Sequence, residues 1–384
     1  MSEYQYYEFL AIDRPLSEEE MADLRALSTR AHITPVGFTN HYNWGDFKGS
    51  PRKLMKRYFD AHVYLANWAS ARFVLRLPID ALTQETADIF SVEYFLDIET
   101  TKTHWIVAWC LEESENYDRF ATEDGSGWMA WLAPVRDELL GGDIRSLYIG
   151  WLAAASARMI DDDEVEPPGA SGLGSLTAAQ QALAKFLDVD PDLLAGAGID
   201  STPGGQEGPS PKEMDQWIDD LPQNEVKAVL RQLLDGEGLR AERSLRNRFS
   251  AWCRGLPNHK NDAPRRTLSE LRRNAEKARQ IRLAKEKRER ERREAERRRK
   301  RIEYLSNMAK DFPKAWKAVR KTVERGSGRA YDDACRALGD ISEAYELQDL
   351  GNRFQEEMKE FMADNMKRKA LIQRLVKASI WEDG

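Results

Sequence analysis

Glu93, Asp97 and Glu99 are spaced by even numbers of residues in a stretch whose composition reads as a strand. Alternate side chains of a strand share a face, so this parity would gather three carboxylates where a general acid–base pair or a metal ion could use them. A solvated sheet face gives the same pattern. A second constellation joins Asn40, His41, Trp44, Asp46 and Phe47, polar and aromatic side chains around a turn, the usual setting of binding residues. Turn chemistry in Asn43-Trp44-Gly45-Asp46 accounts for that cluster equally well. The third is basic: Arg290, Arg293, Arg297, Arg298, Arg299 and Arg301 lie in one charged run, where dense arginine could take a nucleic-acid backbone or a protein partner.

Other motifs fail on inspection. Gly169 and Gly174 have the spacing of a phosphate-binding loop, but Ser175-Leu176 stand where Lys and then Ser or Thr are required. Asp188, Asp190 and Asp192 begin like a calcium loop, yet Leu193 replaces its glycine and Ile199 its terminal glutamate. His32, His41, His62, His104 and His259 have no metal-ligand spacing, and each reads as structural. Cys110, Cys253 and Cys335 are single, widely separated and odd in number, which argues against a disulfide framework. No catalytic residue, cofactor or metal is implied.

The elements that must position these residues differ along the chain. A length of 384 residues favours two or three domains, and a charged share of 32% leaves part of the chain outside any core. Residues 4–12 read as a strand. Ser17 and Glu20 form a capping box ahead of a helix with Met21, Leu24 and Leu27. Strands follow near residues 33–42, 62–68 and 72–77, with a short helix opened by Ser50-Pro51 and another over residues 79–90. A hairpin is expected from residues 92–98 and 104–110. Mixed hairpin and crossover connections give an α+β domain over residues 1–160, closed by a Trp-rich helical stretch from Trp128. Residues 161–211, acidic and rich in Pro, Gly and Ser, read as a disordered linker with one short helix around Leu183, Phe186 and Leu187.

From there the chain reads as all-α. A small helical segment over residues 212–257 carries Trp217, Leu221, Leu230, Leu233, Leu245 and Phe249. The basic helix spans residues 265–302. Residues 265–301 hold 18 Lys and Arg against 7 Glu, although the whole chain has a net charge of -7. Between Lys285 and Arg301 the only apolar residue is Ala295, so no coiled-coil seam runs there. Glu286 with Arg290, Glu289 with Arg293, Glu294 with Arg298 and Glu296 with Lys300 are spaced to support the helix. A bundle over residues 303–384 is read as three helices, the last running from Leu350 through Leu371 to Ile380.

The segments YQYYEFLAIDRPLSEEE, FTNHYNWGDFKGSP and YLANW, with YDDACRALGDISEAY and KALIQRLVKAS near the end, resemble a family of uncharacterised bacterial proteins across the whole chain. Relatives encoded beside SWIM-type zinc-finger proteins would imply a role in a multi-protein system. The resemblance carries no catalytic residue over to this chain. The residues together lead us to expect a cytoplasmic protein without a membrane span, acting as a non-enzymatic interaction or adaptor component with a protein partner. Nucleic-acid binding through the basic helix is the alternative, and an enzyme of unrecognised type in the N-terminal domain the second. Oligomeric state is not legible.

Overall fold

The computed structural model describes residues 4–112, 125–168, 172–199, 211–254 and 265–381. The N-terminal half is built on a seven-stranded antiparallel sheet with helices, and the C-terminal half is all-helical. The α+β reading followed by an all-α half with a long charged helix describes this architecture. Two compact units divide it, residues 1–281 and 282–384.

In the first unit the elements run β1 (Gln5–Leu10), α1 (Glu18–Leu27), β2 (His32–Thr34), β3 (Gly37–Tyr42), α2 (Pro51–Arg57), β4 (Ala61–Ala66), β5 (Ser70–Pro78), α3 (Gln84–Phe90), β6 (Leu96–Thr100) and β7 (His104–Leu111). After them come α4 (Trp128–Leu132), α5 (Pro134–Leu140), α6 (Arg145–Ser156), α7 (Ala178–Phe186), α8 (Pro191–Gly198), α9 (Pro211–Asp219), α10 (Gln223–Leu234) and α11 (Gly238–Arg254). The sheet order is β2-β3-β1-β4-β5-β7-β6. The expected strand over residues 33–42 is two strands, because the chain turns between Thr34 and Gly37. Ser17 and Glu20 form the expected capping box, each side chain meeting the other residue's backbone N–H.

Alternation along the strands divides apolar residues between the two faces. Tyr6, Val63, Phe73, Val107 and Trp109 face a large core with helices α3 to α8, including Leu132, Leu147, Phe186 and Leu193. Tyr7, Phe9, Phe38, Val74 and Ile106 face the other way, against Leu24 of α1 and Leu54 and Met55 of α2. One ionic network ties strand ends to helix. Asp60, 1% exposed, accepts from the backbone of Ile12 at 2.6 Å and Asp13 at 2.8 Å and from Arg76 at 2.7 Å. Arg136 of α5 then bonds the Arg76 carbonyl at 3.1 Å and Asp13 at 2.8 Å.

Residues 161–168 depart from the expected disorder. Glu166 is 2% exposed and takes hydrogen bonds from Tyr148 and Arg266, while Asp162 pairs with Arg272. An acidic, proline-bearing composition opposes order only when nothing compensates the charge, and two arginines distant in sequence supply that compensation here. The single short helix expected in this region is two, α7 and α8, whose Leu183, Phe186, Leu187 and Leu193 belong to the main core. Asp190, considered for calcium, caps α8 by accepting from the Asp192 and Leu193 backbone. Residues 169–171 and 200–210 of the expected linker, and His259, lie outside the described residues. The units part near residue 281 rather than in that linker.

Helix α12 (Leu268–Ala309) has 42 residues, about 63 Å at ~1.5 Å per residue. Leu268 and Leu271 are buried in the first unit's core. The second unit comprises the remainder of α12 with α13 (Phe312–Glu324), α14 (Gly328–Glu346), α15 (Gly351–Asn365) and α16 (Lys369–Lys377). Its core joins Leu305, Trp316, Leu338, Tyr345, Phe361 and Leu375. The expected last helix is broken into α15 and α16, with Asn365 buried at the break and bonding the Phe361 carbonyl.

Candidate functional site

The three constellations fare differently once folded. In the turn cluster, Phe47 is a core residue packed among Tyr7, Phe9 and Phe38. Asn40 is 4% exposed and spends its amide on Ser28 and Tyr42, both at 2.8 Å. Asp46 accepts from Gln5 at 2.9 Å, and His41 stacks on Tyr4. Gly45 has φ +78°, which the turn requires and which a Cβ would strain. Trp44, 75% exposed, presents its ring to solvent, and His41 and Asp46 are exposed as well. The cluster is therefore built chiefly as turn and core.

The carboxylates do come together, though not by parity alone. Asp97 and Glu99 lie on one face of β6. Glu93 is not on the strand: Val92 and Leu96 exchange backbone hydrogen bonds, and Glu93 stands in the tight turn between them. All three nevertheless line one groove of about 420 Å³. It lies beside α2, which packs across β4 and β5 and leaves the sheet face exposed toward β6.

Four carboxylates and two guanidinium groups surround this groove: Glu93, Asp97, Glu99 and Glu112 with Arg52 and Arg72. Glu99 is neutralised by Arg52 and Lys56, each at 2.9 Å, and Glu112 by Arg72 at 2.9 Å. Asp97 has no hydrogen bond or ion pair among the described residues. Met55, Val74, Ile106 and Ala108 give the groove an apolar floor. Cys110 lies there too, and burial pushes its thiol up, so it is no ready nucleophile.

His62 is the residue that sequence reasoning passed over. It is 1% exposed, stacks on Phe9 with ring centroids 4.0 Å apart, and borders the groove. Burial, with Arg72 nearby, lowers its pKa to about 3 against the opposing bond to Glu8, so the ring is neutral. Nδ1 lies 2.9 Å from the carbonyl of Glu8, and a carbonyl can only accept. The proton is therefore on Nδ1, and Nε2 carries a lone pair. The only available signal was a histidine inside an apolar strand, and its groove-facing placement depends on pairing register.

Among the arginines, Arg290 pairs with Glu294 at 3.0 Å and Arg293 with Glu289 at 3.9 Å. Glu296 pairs with Lys300 as expected, but Glu286 turns back to Arg282 rather than forward to Arg290. Glu294, expected to pair with Arg298, is taken by Arg290. Arg301 is bound to Asp340 at 2.6 Å and Glu343 at 2.9 Å on α14. Arg297, Arg298 and Arg299 are exposed and have no ion pair among the described residues.

A fourth surface emerges only in the fold. Helices α9 to α11 pack around Trp217, Phe249, Leu221, Leu245 and Trp252. Their small core leaves no residue of α10 buried. Val226, Leu230, Leu233 and Leu234 are spaced to form one stripe on α10, and Leu230 and Leu234 are 53% and 86% exposed.

Among the described residues no group of three or more His, Cys, Asp or Glu could hold a metal ion. No helix among them is long and apolar enough to cross a membrane. Comparison of the chain with protein-family models, curated proteins and solved structures finds no match.

Proposed function

We propose that this protein is a non-enzymatic interaction component of a multi-protein assembly, and that α10 is a docking element. The observation that carries this reading is the stripe of Val226, Leu230, Leu233 and Leu234 left exposed on an amphipathic helix. An isolated exposed leucine is ordinary, whereas an aligned apolar stripe is the usual mark of a protein-binding surface. Lys227 and Arg231 border the stripe in the helical register. That rim suits an amphipathic helix of a partner protein carrying Asp or Glu along its flank.

The experiment is affinity capture from the native host after nuclease treatment, using the full chain and a Leu230→Ser, Leu233→Ser variant. A protein retained by the former and lost by the latter, with both melting alike, supports docking through α10. Capture unaffected by the two substitutions would overturn it. So would concentration-dependent self-association abolished by the same changes, since the stripe would then cover a second copy. A nucleic-acid reading is favoured by one observation, that Arg297, Arg298 and Arg299 are exposed with no ion pair among the described residues.

A further inference from the structure

The groove beside β6 is organised as a row with unlike ends. His62 pairs across the sheet with Val74, Val74 with Ala108, and Ala108 with Asp97, so all four side chains share one face. The middle of the row is apolar, and each end accepts hydrogen bonds. At the inner end the Nε2 lone pair of His62 has no partner among the described residues, although the side chain is 1% exposed. His62 lines the groove, so a ligand there can supply the donor that Nε2 lacks. At the outer end are Asp97, Glu93 and Tyr94, the last 64% exposed on the groove rim.

Charge distinguishes the ends. With Glu99 and Glu112 neutralised, the remaining negative charge belongs to Glu93 and Asp97. Arg72 is close enough to His62 to disfavour a positive charge there. A cation therefore suits only the outer end, where the face of Tyr94 adds attraction. Three inter-strand steps of roughly 4.8 Å put the two ends about 14 Å apart at their Cα atoms. His62 and Asp97 are too distant to share a metal ion or pass a proton directly, which separates this site from acid–base chemistry.

We propose that the groove binds a small organic amine with a neutral hydroxyl or amide donor at its far end. The ammonium sits against Asp97, Glu93 and the Tyr94 ring, and the apolar body lies over Val74 and Ala108. The hydroxyl or amide donates to Nε2 of His62. Aminoalkyl phenols have this arrangement. The groove volume is within the range of small-molecule sites. The inference stands apart from docking through α10, and neither depends on the other.

Calorimetry on the full chain tests it with three probes: tyramine, phenethylamine, which lacks the hydroxyl, and para-ethylphenol, which lacks the ammonium. Saturable one-to-one binding of tyramine is expected, with each truncated probe weaker by about tenfold, the loss of one charge-assisted or buried hydrogen bond. Asp97→Asn is expected to weaken tyramine about tenfold without moving the melting temperature, because Asp97 is exposed and unpaired. The role of His62 is read in the unmodified protein from the Nε2 nitrogen resonance, which should move on adding tyramine. Absence of saturable binding, equal affinity for para-ethylphenol, indifference to Asp97→Asn or an unmoved Nε2 resonance would each overturn the proposal.

Discussion

Glu166 and Arg266, 100 positions apart, form a buried two-point ion pair: Arg266 Nε donates to Oε1 at 2.7 Å and an Nη to Oε2 at 3.0 Å. The Arg266 backbone N–H adds a third bond at 2.9 Å, and its guanidinium also bonds the carbonyls of Ala197 and Ile199. This one arginine therefore ties the approach to α12 to the end of α8 and to the acidic segment. Glu166→Gln is expected to destabilise the first unit by about 3 kcal/mol, because it strands a partly buried guanidinium. Urea unfolding followed by tryptophan fluorescence checks this, and a change below about 1 kcal/mol would show the segment to be incidental to stability.

The turn cluster divides sharply by burial. Phe47→Ala is expected to cost about 3 kcal/mol, since the ring fills the space among Tyr7, Phe9 and Phe38. Trp44→Ala should leave stability within about 0.5 kcal/mol, because the side chain touches solvent. Thermal melts of the two variants decide it. Equal losses would mean that Trp44 packs in solution.

Acid should weaken the fold in two stages. His62 titrates near 6.5 when unfolded and is held down to about 3 when folded, by burial first and then by Arg72, against the bond to Glu8. The unfolded chain thus takes up a proton that the folded chain refuses. His62's contribution is complete above about pH 6.5 and falls as pH drops toward its folded value. His104, lowered by burial and by Arg76, acts in the same sense. Asp60 behaves as a depressed carboxyl: burial raises it, but Arg76, the Asp13 backbone N–H and Arg136 together bring it below its ordinary value. Its contribution is present above about pH 3.9 and is lost as pH falls through the folded value. Urea midpoints at about pH 7 and about pH 5 should therefore differ, and His62→Gln should narrow that difference. An unchanged difference would assign the effect elsewhere.

The basic helix yields a salt-dependent test. Glu289 with Arg293, Arg290 with Glu294 and Glu296 with Lys300 dilute its field, so weak binding to duplex or single-stranded nucleic acid is expected at about 150 mM salt. Fluorescence anisotropy against salt measures it. Submicromolar binding that falls steeply with salt, and disappears when Arg297, Arg298 and Arg299 become Gln, would establish the nucleic-acid reading instead. Arg301→Gln is a separate control: it removes bonds to Asp340 and Glu343, and should lower the second unit's stability by no more than about 1 kcal/mol.

Local pattern was enough for what depends on neighbours in sequence. The Ser17–Glu20 capping box, Pro51 opening α2 and the helical spacing of Met21, Leu24 and Leu27 were legible because cap and amphipathic stripe lie within a few residues of each other. The shared face of Asp97 and Glu99 was legible for the same reason. Tertiary structure alone decided the rest. Whether residues 161–168 are ordered depends on Arg266 and Arg272, which no local composition reveals. Whether His62 meets a groove depends on the register that aligns it with Val74, Ala108 and Asp97, and on how far α2 extends over the sheet. Strand pairing and side-chain burial bring together residues distant in the chain, and the free energy of those contacts is not written in either partner's immediate neighbours.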